Sequence, residues 1–213
     1  MDLITAKPGF EFIGGPVCLD LTNTVRGVRG ERSCRETLTS YSDLVFWSQQ
    51  AGLVTEGEAE EVLHIAEQDE KGAGAVLLRA TRLREAIYHI FTALIAGREP
   101  AGSDLNTLNR EVRKGTIGAS VIRTTDGFAW EWRKEEHMLD QMLGALARSA
   151  ATLLISTEWS LVRQCANATR CQWLFVDTTK NHSRQWCRTA VCGNKVRARR
   201  HRERQRNETA IAE

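Results

Sequence analysis

The 213-residue sequence predicts an α+β protein: a mainly α-helical body with a small antiparallel sheet, then a short cysteine-rich module and a basic helix. Three observations carry that prediction. Apolar residues recur at helical spacing through most of the chain. The period changes from helical to two across residues 121–132. Four of the six cysteines, Cys165, Cys171, Cys187 and Cys192, fall within 28 residues, and a run of basic residues follows them.

A chain that is 42% hydrophobic and 26% charged has the composition of a folded globular protein, which excludes disorder throughout. The net charge of +2 hides an asymmetry. Residues 160–213 hold 12 Lys and Arg against 4 Asp and Glu, whereas residues 1–159 hold 17 against 23. An acidic body therefore carries a basic segment, so the expected division is a body over 1–159 and a second unit over 160–213, with different partners. No stretch approaches the ~18–20 apolar residues of a membrane span. The best candidate, 138–155, is interrupted by Asp140, Gln141 and Arg148. Met1 to Gly9 lack the basic start and apolar run of a secretory signal, so a cytoplasmic location is expected, where thiols stay reduced.

Taken in order, Phe10-Glu11-Phe12-Ile13 alternates and predicts a short strand ending at Gly14-Gly15. Residues 17–25 suit a helical turn or two, and the polar, glycine-punctuated stretch 26–39 suits a loop. Ser40-x-x-Asp43 before Leu44, Val45 and Trp47 predicts a capped helix closed by Gly52. Thr55-x-x-Glu58 opens the next, with Ala59, Val62, Leu63 and Ala66 on one face. The longest helix is expected over 75–96. Its apolar face is Leu77, Leu78, Leu83, Ile87, Ile90, Phe91, Leu94 and Ile95, and Gly97 and Pro100 stop it. A shorter helix is expected over 105–112. Asp126-Gly127 then predicts a type I′ hairpin turn, with Phe128, Trp130 and Trp132 opposite Thr125, Arg123 and Val121. On that register Arg123 meets Trp130 in a cation–π pair worth ~0.5–1 kcal/mol. The last body helix is expected over 138–159.

The late cysteines read C-x5-C-x15-C-x4-C. Two pairs about fifteen residues apart can each supply two thiolates from one turn, completing a tetrahedron with Zn–S bonds of ~2.3 Å. Gln172 to Asp177 is strand-like, 178–183 is turn-like, and Arg184-Gln185-Trp186-Cys187 returns toward the site. A short hairpin between two cysteine turns, followed by a helix, describes a treble-clef-like zinc module. The segment is too polar to bury four free thiols in an ordinary core, and four thiolates leave no open position for catalysis. One structural Zn2+ is therefore expected, held by Cys165, Cys171, Cys187 and Cys192, with its binding energy serving as folding energy.

Between Gly193 and Arg206 lie seven basic residues and one acid. On a helix Lys195, Arg199, Arg202 and Arg206 share a face, beside a stripe of Arg197, Arg200 and Arg204. Such a helix gains most from a polyanion, and nucleic acid releases counterions as each phosphate is met. Arginine can also read guanine edges, and no aromatic interleaves these residues for base stacking. Arg184 joins them in the expected nucleic-acid-binding set. The competing partner is an acidic protein surface, the body included.

This stretch resembles the CGNR zinc finger family in Cys165, Cys171-x-Trp173-x-Phe175, Asp177-Thr178-x-x-Asn181, Arg184-x-Trp186-Cys187 and Cys192-Gly193-Asn194-Lys195. The family's motif ends in Arg where this chain has Lys195, which keeps the charge and loses the planar fork. Thr179 stands where the family usually has Ser. Gly14-Gly15 with Leu19-Asp20-x-x-Asn23-Thr24, and Leu83-Arg84-Glu85-Ala86, resemble the ABATE domain that usually precedes this finger. The resemblance implies a stress-induced transcription regulator that binds duplex DNA through its finger, with a body that senses a ligand or forms a homodimer.

In the body, Asp20, Asn23 and Thr24 sit among Leu19, Leu21 and Val25 and must find hydrogen-bond partners. Arg84 is the expected partner of Asp20. Asp20, Asn23 and Arg84 read either as a pocket for a small-molecule effector or as a buried network that fixes helix packing. Trp130 and Trp132 either line a pocket or cover a core. Cys18 and Cys34 read as ordinary thiols. His64, His89 and His137 stand alone, no phosphate-binding glycine loop occurs, and no catalytic constellation is visible, so no enzymatic activity is expected. Two other readings stay open: an RNA-binding accessory protein, and a small-molecule-binding enzyme for which the finger is a scaffold.

Overall fold

Pro16, in extended conformation, starts a six-residue helix α1 (Val17–Thr22) whose Cys18 to Thr22 are all buried. A helix that short survives only by packing, and α1 lies against the longest helix, the last body helix and a strand of the cysteine module. The structure is a computed structural model and describes residues 9–117, 119–125, 127–132 and 139–212.

Both predicted capping boxes form. Ser40 and Asp43 open α2 (Tyr41–Gln50), and Thr55 and Glu58 open α3 (Glu56–Gln68), each pair exchanging side-chain and backbone hydrogen bonds. The long helix α4 (Glu70–Ile95) begins five residues earlier than its apolar pattern suggests, because the Asp69 carboxylate takes the Gly72 N–H. Val76, Ala80, Leu83, Ile87, Ile90 and Phe91 form its buried face, while Leu78 and Ile95 turn outward. Next come α5 (Gly102–Lys114) and α6 (Gln141–Ile155). They cross at two glycines: a Cβ on Gly115 would lie 2.3 Å from the Gly144 Cα. The helix expected to reach 159 ends at Ile155, where Ser156 turns extended, and a 3-10 turn (Glu158–Leu161) follows. The start of that helix at 138 and His137 lie outside the described residues.

The small sheet is three separate antiparallel pairs: β1 (Val25–Arg26) with β2 (Arg35–Glu36), β3 (Ala119–Thr124) with β4 (Gly127–Trp132), and β5 (Val162–Gln164) with β6 (Leu174–Val176). The first falls in the stretch expected to be a loop, apart from Val25, expected to be helical. The predicted strand at Phe10–Ile13 does not form, since the Asp20 carboxylate takes the N–H groups of Ile13 and Gly14. In the β3–β4 hairpin Thr124 pairs with Gly127, so Gly127 belongs to the strand, and Asp126 lies outside the described residues. The partners are therefore displaced by two positions, which preserves the faces. Arg123 pairs with Phe128, its guanidinium 5.9 Å from the ring centre, and Val121 pairs with Trp130. The side chains of Trp130 and Trp132 lie outside the described residues.

One core joins all these helices around Trp47, Leu83, Phe91, Met142 and Leu146, and it includes Val162, Leu174 and Val176. A second core holds Cys165, Cys171, Trp173, Phe175, Cys187 and Cys192. Strand β6 divides the two. Alternate residues of a strand face opposite sides, so Leu174 and Val176 enter the body while Trp173 and Phe175 face the cysteines.

Candidate metal centre

Each cysteine pair is built by a turn that the local sequence dictates. The Cys165 N–H bonds the Trp173 carbonyl and continues the β5–β6 ladder. The Asn167 carbonyl then takes the N–H groups of Arg170 and Cys171, bending the chain so that the second thiol returns to the first. In the second pair the Arg188 carbonyl takes the N–H groups of Val191, Cys192 and Gly193. This wide turn (Thr189–Gly193) runs directly into α7 (Asn194–Ala212).

All four thiols are buried, and their sulfurs lie within 4.8 Å of one another. The Cys171 and Cys187 sulfurs are 3.7 Å apart, and those of Cys187 and Cys192 are 3.6 Å apart. A tetrahedral site with Zn–S bonds of ~2.3 Å has edges of about 3.8 Å. Donor type, number and spacing thus fit one zinc ion with no coordination position left for substrate. The thiols of Cys171 and Cys187 bond to the Cys165 sulfur and hold its pKa far below the usual thiol range, while theirs are driven up. When bound, zinc ties the two turns covalently to one point.

The surrounding side chains hold the turns in place. Asp177 is fully buried and accepts from the N–H and hydroxyl of Thr179 and from the Arg184 N–H, which fixes the return of the chain. Arg184 stacks over Phe175, 4.2 Å from the ring centre, and donates Nε and Nη2 to the carbonyls of Trp186 and Cys187. Those two donors, expected on phosphate, are spent inside the module.

Helix α7 is anchored by Val196, which is buried, and by Arg197 over the Trp186 ring. Arg199 donates to Thr169 and lies 3.8 Å from Glu203. Lys195, Arg200, Arg202, Arg204 and Arg206 are exposed, with no side-chain partner among the described residues.

The three candidate body residues do not meet as expected. Asp20 accepts from the backbone of Ile13 at 2.8 Å and Gly14 at 2.7 Å, and burial raises its pKa in spite of those bonds. Arg84 instead forks onto Glu36 with two bonds of 2.7 Å, and bonds Glu85 and Thr24. The Asn23 amide both donates to and accepts from Leu174, at 2.9 and 2.8 Å, as a neighbouring strand would. The space lined by Asp20, Asn23 and Thr24 is about 10 Å³, room for a single water.

Sequence reasoning missed Arg29 altogether. Its guanidinium lies 3.6 Å from the Tyr88 ring centre and bonds Glu85 and the Thr22 carbonyl, while its backbone N–H donates to Gln172. The Trp173 indole N–H donates to the Val25 carbonyl, and Gln164 donates to the Tyr88 hydroxyl. An arginine in a loop without periodicity carries no signal of such contacts.

A helical body whose core is closed by a strand of a four-cysteine metal module, with a basic helix leaving that module, defines the class: a zinc-finger protein with a helical partner domain. Residues 15–157 match the ABATE family, described as "putative stress-induced transcription regulator", and residues 162–205 match the CGNR zinc finger. The chain belongs to the ABATE family and carries a CGNR zinc finger, and both are named as regulator or finger families rather than as enzymes. No curated protein matches it. Among the described residues no helix is long and apolar enough to cross a membrane.

Proposed function

We propose that this protein is a cytoplasmic transcription regulator that binds duplex DNA through α7, with the zinc module as the rigid base of that helix and residues 1–159 and 160–213 as its two units. The observation that carries this reading is the group of exposed cations Lys195, Arg200, Arg202, Arg204 and Arg206, which have no partner among the described residues. Close positive charges repel, and a phosphate backbone reverses that cost while releasing counterions. The helix has the width for a major groove, where an arginine fork reads guanine. Arg184 acts here as a positioning residue for the Cys187 turn.

Duplex is favoured over single strands by the aromatics. Trp173 and Phe175 are buried and Trp186 lies under Arg197, so the module offers no stacking platform. The test is a salt titration of the zinc-loaded protein against duplex DNA, structured RNA and single strands. About five phosphate contacts give a log–log slope near −4.5, or steeper, on duplex. A flat slope, or no binding at low salt, refutes the proposal, and tighter binding to structured RNA reassigns the polymer.

A further inference from the structure

A groove of about 210 Å³ runs over the metal module, with Cys171, Cys187 and Cys192 in its wall, beside Arg26 and Gly27 at the end of β1. Arg26 of β1, Arg170 of the first cysteine turn and Lys195 of α7 line it, all exposed and without a side-chain partner among the described residues. A fourth cation, Arg188, is neutralised there by Glu11. Asn167 also lines the groove. It is only 2% exposed, and its backbone carbonyl holds the first cysteine turn. Three cations without a side-chain partner among the described residues, gathered on one concave surface, fit an anion that carries several acceptor oxygens.

The dimensions limit what can enter. Sites for whole small ligands span ~300–1,000 Å³, so this groove admits a phosphate and its sugar with the rest of the ligand outside. Lys195 is at once a wall of the groove and the first basic residue of α7. A nucleic-acid strand lying along α7 is thereby led into the groove. We infer that the groove binds a backbone phosphate of duplex DNA through Arg26 and Arg170, so that the body itself contacts the nucleic acid. This rests on the duplex-binding function above and extends its surface across the module to β1. Guanidinium forks suit the task because they pair with phosphate oxygens two at a time.

The test uses the full-length, zinc-loaded protein and the double variant Arg26→Gln/Arg170→Gln. Both side chains are exposed, and unchanged zinc content and circular dichroism verify the fold. Loss of that phosphate contact makes the duplex salt slope shallower by about 0.9 and weakens binding by the same factor on unrelated sequences. Glu11→Gln frees Arg188 and is expected to tighten duplex binding, a gain that misfolding cannot mimic. The inference is overturned if the wild type binds duplex with a steep slope and the double variant keeps the same slope and affinity. It is also overturned if adenosine monophosphate at millimolar concentration stabilises the wild type but not the double variant while the duplex slopes coincide, which makes the groove a site for free phosphorylated molecules. Absence of duplex binding by the wild type defeats the parent function as well, and so is told apart from failure of the groove alone.

Discussion

Asn23→Ala is the perturbation that most sharply tests how the body and the metal module are joined. The Asn23 side chain is 4% exposed and exchanges two hydrogen bonds, of 2.9 and 2.8 Å, with the backbone of Leu174. Removing it leaves a buried N–H and a buried C=O of β6 unpaired, each costing ~1–3 kcal/mol. Water entering the space left by the amide recovers part of this, so the expected loss is about 2–4 kcal/mol. That is a large share of the ~5–15 kcal/mol that stabilises an ordinary domain. The effect should not stop at the body. Strand β6 carries Leu174 into the helical core and Phe175, with the preceding Trp173, into the cysteine core. Loosening it should therefore speed zinc transfer to a chelator, although Asn23 touches no cysteine. Urea unfolding of the zinc-loaded protein, followed by tryptophan fluorescence, gives the stability from the midpoint at constant m. A colorimetric chelator gives the zinc release rate. A stability loss below about 0.5 kcal/mol with unchanged zinc release refutes the claim that Asn23 clamps the module.

Other consequences are equally direct. Metal analysis should find one zinc per chain, and Cys187→Ser should lose it; a full zinc equivalent retained by that variant refutes the ligand set. Burial alone would raise the Glu36 pKa, yet the Arg84 hydrogen bonds and charge outweigh it and hold the carboxyl below its usual value. Its folded pKa being lower than its unfolded one, the pair's stabilisation is present above the ordinary glutamate range and lost as pH falls through the lowered value. The stability gap between wild type and Glu36→Gln should accordingly shrink on acidification, and a gap independent of pH between 7 and 3 contradicts the assignment. Gly115→Ala places a methyl 2.3 Å from the Gly144 Cα, against backbone that cannot yield cheaply. A loss of ~1–3 kcal/mol is expected, read as a lowered Tm, and an unchanged Tm counts against the α5–α6 crossing.

Much of this architecture was legible because its causes are local. Ser40 with Asp43 and Thr55 with Glu58 announce helix starts within four residues, and both form. The four cysteines announce a metal site because two short turns suffice to gather each pair. Where reading failed, a longer-range competitor won. The Phe10–Ile13 alternation would suit a strand, but Asp20 takes the N–H groups of Ile13 and Gly14. The hairpin register slipped because Gly127 serves as a strand residue with φ 130° instead of a loop position. Leu78 and Ile95 fit the apolar pattern of α4 and still face outward, since none of the described residues covers them.

The sequence by itself determined the helix-rich body, the four-thiolate site and the separation of an acidic body from a basic helix, because spacing, capping and charge are properties of neighbours along the chain. Only the tertiary structure decided who meets whom. Arg84 pairs with Glu36 rather than Asp20, and Arg184 turns inward to the Cys187 carbonyl. Asn23 reaches Leu174 across 151 positions, and Arg29 reaches Gln172 across 143. Contacts at such separations leave no periodicity to read, because packing alone sets which polar groups are buried together and must satisfy one another. That same packing makes β6 one wall of two cores and brings Arg26 of the body beside Arg170 and Lys195 of the metal module.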